Sequence, residues 1–63
     1  MSYELFMTKT TEIVNRMGFS VKFSTDGKVH TANVSDGTII TGEADGNMVS
    51  FILPGGKTLK TAV

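Results

Sequence analysis

Apolar side chains recur at a helical period over the first seventeen residues and then change to alternation. Tyr3, Phe6, Met7, Thr10, Ile13, Val14 and Met17 fall at offsets 0, 3, 4, 7, 10, 11 and 14, which is one face of an α-helix. Glu4, Thr8, Thr11, Glu12 and Asn15 take the remaining surface. Ser2 is placed to act as N-cap, Glu4 suits the positive first turn, and Arg16 suits the last. Gly18 is a natural residue for the left-handed position that ends a helix. The run Thr8–Lys9–Thr10–Thr11 is weak helix material, and Thr8 is itself a candidate N-cap. A second reading stays open at this point, with Tyr3–Met7 as a short strand or extended arm.

Beyond Gly18, Phe19, Val21 and Phe23 alternate with Ser20, Lys22 and Ser24, as in a half-buried strand. Turn dipeptides follow at Asp26–Gly27, Asp36–Gly37, Asp45–Gly46 and Gly55–Gly56, at intervals of ten, nine and ten residues. Asp-Gly and Gly-Gly favour tight hairpins, because glycine accepts positive φ without steric cost. Five strands are predicted, near 19–25, 28–34, 38–44, 48–53 and 57–62. The expected fold is α+β: one domain over residues 1–63, an N-terminal helix packed on a four- to five-stranded antiparallel β-meander.

Two-residue loops would set the register. Phe23 would then face His30, Val21 would face Ala32, Phe19 would face Val34, and Ile52 would face Leu59. Strands three and four carry apolar residues on both faces, since Ile39 and Ile40 must point opposite ways. One helix covers one face. The surplus set is expected to be Ile39, Val49, Phe51 and Leu53, buried either by closure into a small barrel or by a partner.

Composition narrows the options. A chain of 63 residues has a thin core, and without cysteine it has neither a disulfide nor a thiolate zinc site to reinforce it. Absence of cysteine also favours a cytoplasmic home. Six basic and six acidic residues cancel, which removes the electrostatic footprint of a nucleic-acid or membrane binder. The longest apolar run, Phe51–Ile52–Leu53, is far too short to span a bilayer, and the start Met1–Ser2–Tyr3–Glu4 lacks the features of a signal peptide. The chain reads as a complete, self-contained small open reading frame, a type common in phages and mobile elements.

Candidate chemistry is sparse. His30 is the sole histidine and reads as a structural residue, since catalysis would need a nucleophile or acid beside it. Glu43, Asp45 and Asn47 offer oxygen ligands, but no bidentate glutamate closes a calcium loop, so Asp45–Gly46–Asn47 reads as a turn. Gly55–Gly56–Lys57–Thr58 has the end of a phosphate-binding loop, but Phe51 stands where its first glycine belongs. The carboxylate pairs Glu4 with Glu12 and Glu43 with Asp45 read as solvated surface charge. Neither a catalytic set, a metal site nor a cofactor is expected. Arg16, Lys22, Lys28, Lys57 and Lys60 could line a basic stripe, although lysines on edge strands also guard against aggregation. Methionine at positions 1, 7, 17 and 48 suits a core or an adaptable contact surface.

In element order, a helix followed by five strands, the chain resembles the Sm-like fold. Asp36–Gly37–Thr38–Ile39–Ile40–Thr41–Gly42 carries two glycines five apart, similar to the first signature of that family. The loop Glu43–Ala44–Asp45–Gly46–Asn47 departs from the family pattern, and the C-terminal signature is missing. The resemblance implies ring assembly and RNA binding as one option. The expected function is a small non-catalytic protein-interaction module that modulates a partner protein or self-assembles as a homo-oligomer through Ile39, Val49, Phe51 and Leu53. The alternative is an oligomeric nucleic-acid-binding module with Lys22, Lys57 and Lys60 as contacts. An enzyme ranks last.

Overall fold

Helix formation at the N-terminus follows the capping chemistry. In the computed structural model, which describes residues 1–62, α1 runs Tyr3–Met17 without a break. The Ser2 hydroxyl accepts from the Leu5 N–H, satisfying one of the free donors of the first turn. Gly18 takes φ +80° and donates its N–H to the Asn15 carbonyl, closing the other end. Tyr3–Met7 is thus helical; the Thr8 hydroxyl donates back to the Glu4 carbonyl within the helix and does not start one.

Five strands follow: β1 Val21–Thr25, β2 Val29–Val34, β3 Ile39–Glu43, β4 Met48–Ile52 and β5 Thr58–Ala62. They form one antiparallel sheet in chain order, β1-β2-β3-β4-β5. β1 and β5 are its two edges, so the sheet is open and not a barrel. The Sm-like resemblance stops at the order of elements.

Loop lengths decide the register. Between β1 and β2 the reversal centres on Gly27–Lys28, flanked by Asp26 and Val29, whose backbones bond at 3.3 Å. Only Gly27 takes positive φ, and the Asp26 carboxylate accepts from the Lys28 and Val29 N–H groups at 2.8 Å each. The pairs are Phe23 with Ala32, Val21 with Val34 and Thr25 with His30. This is two residues from the register expected for an Asp26–Gly27 loop, and a slip of two keeps each residue on its expected face. Between β4 and β5 the loop has three residues. Pro54 and Gly55 occupy the centre of a type II turn closed by the Gly56 N–H on the Leu53 carbonyl, and Gly56 adds a second positive φ. Leu59 therefore faces Phe51, and Ile52 faces Thr58. That slip of one carries Leu59 to the opposite face from the one expected.

The core sits between α1 and one face of the sheet. Phe6, Val14, Ala32, Val34, Ile40 and Val49 are buried in it, with Tyr3, Val21, Phe23 and Phe51 packed against it. Phe6 is its centre, 0% exposed, edge-on to Phe23 with ring centroids 6.1 Å apart and against Gly42 of β3. The helix packs over β1 and β2. A helix is about 10 Å across. A five-stranded sheet spans roughly 19 Å between its edge strands. One helix does not span the whole face: Val49 of β4 is buried and Phe51 half-buried, while all five residues of β5 stay exposed.

Candidate interaction groove

His30 is held by packing and hydrogen bonding. It is 3% exposed, between the rings of Tyr3 at 5.3 Å and Phe6 at 5.6 Å. Its Nε2 donates to the Met1 carbonyl at 3.0 Å, since a carbonyl can only accept. Nδ1 then accepts from the Thr25 hydroxyl at 2.8 Å in the neutral ring. The Met1 amino group donates to the carbonyls of Ala44 at 2.9 Å, Glu43 at 3.2 Å and Gly46. Among the described residues every buried polar side-chain atom of this cluster has a partner, and the hydroxyl beside the ring is that of Thr25.

Two of the other candidate segments fall in loops between strands. Asp45 and Gly46 belong to the β3–β4 loop, where the Gly46 N–H bonds to the Glu43 carbonyl. Gly55–Gly56–Lys57 is the β4–β5 loop. Among the described residues no group of three or more His, Asp or Glu side chains could hold a metal ion. Among the described residues no helix is long and apolar enough to cross a membrane.

The four residues expected to share a surplus face do not share one. Ile39 lies on the sheet face away from α1, opposite Ile52. Val49 and Phe51 lie on the helix side, opposite Gly42 and Ile40, and Val49 is part of the buried core. Leu53 joins Phe51 on the helix side, near Met17. The reason is the odd-numbered spacing of 49, 51 and 53, which keeps them on one face while Ile39 alternates with inward Ile40.

What gathers on the helix side is a continuous apolar groove between α1 and β4–β5. Its first stretch is bounded by Phe6, Lys9 and Ile13 on the helix, floored by Ile40, Val49 and Phe51, and closed by Thr61 and Ala62. The second continues past Ile13 and Phe51 to Met17, Leu53 and Pro54. Leu59 lies alongside, opposite Phe51. Ile13, Met17 and Leu59 are large apolar side chains that stay 42%, 59% and 49% exposed among the described residues. All five residues of β5 are exposed on both faces. Leu59, Ile13 and Met17 are absent from the set expected from sequence. The signal that locates Leu59 is Pro54–Gly55–Gly56, where proline at the second turn position and glycine at the third dictate a three-residue loop.

The opposite sheet face is different. Ser24, Thr31, Thr41, Ser50 and Lys60 form a row across all five strands, each opposite the next. This polar row separates Ile39 and Ile52 from Val29 and Met48, so the outward apolar residues do not merge into one patch. Lys22 and Lys60 both face outward but stand on opposite edges, roughly 19 Å apart by strand spacing. Lys57 lies in the β4–β5 loop, so the three lysines do not converge. No family model matches the chain, nor does any curated protein or solved structure match it significantly.

Proposed function

We propose that this chain is a small non-catalytic interaction module whose working surface is the groove between α1 and β4–β5. The observation that carries the reading is the off-centre helix, which leaves Ile13, Met17, Phe51, Leu53 and Leu59 as one apolar strip on a chain with a thin core. A strip of that kind on so small a domain is the mark of a surface kept for association. The reading replaces Ile39 and Val49 of the sequence-based set with Ile13, Met17 and Leu59.

The test compares bait carrying Leu59→Asp with bait carrying Ile52→Asp on the opposite sheet face. Association, with itself or with a protein drawn from host lysate, is lost in the first and kept in the second, while both fold as judged by circular dichroism. If association survives Leu59→Asp undiminished, the groove is not the working surface. A nucleic-acid role for Lys22, Lys57 and Lys60 is checked in the same preparation: an oligonucleotide shift at low salt that disappears on Lys→Ala exchange would favour it over the groove.

A further inference from the structure

We propose that Asp45–Gly46 is a modification site at which this chain passes through a succinimide to isoaspartate, while the fold protects the two other Asp-Gly pairs, Asp26–Gly27 and Asp36–Gly37. The chemistry needs nothing but water. The Gly46 backbone nitrogen attacks Cγ of the neutral Asp45 carboxyl, a C–N bond forms, and a carboxyl C–O bond breaks. The amide proton and the hydroxyl leave together as water, closing a cyclic imide. Water then adds to either imide carbonyl. Opening at Cγ returns aspartate; opening at the main-chain carbonyl gives isoaspartate, in which the chain runs through the side-chain CH2. Glycine follows aspartate at all three positions, so no Cβ shields the attacking nitrogen at any of them. The sequence does not choose among the three.

The structure does choose. The attacking nitrogens are held alike: the Gly27 N–H donates to the Thr25 hydroxyl at 3.1 Å, the Gly37 N–H to the Val34 carbonyl at 3.0 Å, and the Gly46 N–H to the Glu43 carbonyl at 3.2 Å. The carboxylates are not held alike. Asp26 accepts from the Lys28 and Val29 N–H groups at 2.8 Å each. Those donors, Val29 first, hold its carboxyl below the usual value, which depletes the neutral acid that loses water. Asp36 accepts from the Thr38 N–H at 2.9 Å and from the buried Thr38 hydroxyl at 3.0 Å. Both side chains must give up these bonds before Cγ can turn onto the glycine nitrogen. Asp45 is exposed, and among the described residues no hydrogen bond holds its carboxylate. The product also falls on a strained point of contact. The Ala44 and Gly46 carbonyls flank the reacting pair, and both accept from the Met1 amino group. The imide takes the Gly46 N–H away from the Glu43 carbonyl, and isoaspartate inserts a CH2 between the two carbonyls. The change loosens the seat of Met1 and, through the Met1 carbonyl, that of the His30 ring.

The test ages the full chain at neutral pH, labels it with protein isoaspartyl methyltransferase and a labelled methyl donor, and cuts it with trypsin and a glutamate-specific protease. Cuts after Lys22, Lys28, Glu43 and Lys57 place Asp26, Asp36 and Asp45 in separate peptides, 23–28, 29–43 and 44–57. Label should enter 44–57 about tenfold faster than either other peptide, the size expected when bonds to a carboxylate must break on the way to the barrier. In concentrated urea the three should react at similar rates. Gly46→Ala, whose Cβ meets nothing closer than 3.6 Å, should slow labelling of 44–57 by shielding the nitrogen. Thr38→Val, which frees one oxygen of Asp36, should speed labelling of 29–43. Equal labelling of the three peptides in the folded chain overturns the proposal, and so does a preference for 44–57 that persists unchanged in urea. Isomerised Asp45 leaves the mass of its peptide unchanged; label found only in a peptide made heavier by deamidation belongs to Asn47 and overturns the assignment to Asp45.

Discussion

At Gly42 the sheet comes close to the helix residue Phe6, and Gly42→Ala tests the packing described above. A Cβ at this position would stand 2.9 Å from Cδ1 and 3.2 Å from Cε1 of Phe6, and 3.4 Å from Cγ1 of Val49. Phe6 cannot swing aside, because it is fully buried with Phe23 and His30 against its ring. Overpacking of this kind costs about 1–3 kcal/mol. Gly42 does not use positive φ, so alanine is allowed by the backbone and recovers about 0.4–1 kcal/mol by restricting the unfolded chain. The expected net loss is about 1–2 kcal/mol. A domain of this length holds only roughly 3–9 kcal/mol in total. The change should lower Tm by about 5–15 °C, at ~4–8 °C per kcal/mol. Urea unfolding followed by circular dichroism reads it as a lower midpoint at unchanged slope. Phe6→Leu in the same chain should relieve the contact, so the double variant loses at least ~0.5 kcal/mol less than the two single losses combined. A Gly42→Ala protein as stable as the parent, or one that shows no coupling to Phe6→Leu, would refute the account of how α1 meets β3.

The remaining predictions concern His30 and Asp26. His30→Ala should cost about 2–4 kcal/mol, from the cavity beside Tyr3 and Phe6 and from the loss of the partner that the Met1 carbonyl and the Thr25 hydroxyl share. A urea midpoint within error of the parent would contradict the placement of that ring. The Asp26 carboxyl is held below its usual value by the Val29 N–H first and the Lys28 N–H second. A depressed folded pKa means stability that is present above the unfolded value near 3.8 and lost as pH falls through the folded one. Asp26→Asn should therefore be less stable than the parent at pH 6, and the gap should shrink below pH ~4. A gap of constant size at pH 6 and pH 3 would show that the charge is not what holds the β1–β2 turn.

Much of this protein is dictated locally. The helical period of Tyr3 through Met17, the Ser2 cap and the Gly18 stop act within a few residues of one another, and the observed helix has the bounds they predict. Regular turn dipeptides likewise place all five strands to within one or two residues at each end. The burial of His30 between Tyr3 and Phe6 was not legible locally, because those rings come from the helix. The candidate surface was less legible. A single residue in the β4–β5 loop decides whether Leu59 faces Phe51 or Ile52, because side chains alternate and a slip of one inverts a whole strand. That choice is encoded in Pro54–Gly55–Gly56, but only when the proline is read as part of the turn. Where the helix rests across the sheet is not encoded in any one segment. It follows from the fit of Phe6 onto Gly42, Phe23 and His30, residues from three strands that meet only after the meander has formed. Sequence alone determined which elements form and which residues are apolar; the tertiary structure decided which of those residues remain uncovered, because a helix about 10 Å wide must choose one half of a sheet about twice its width.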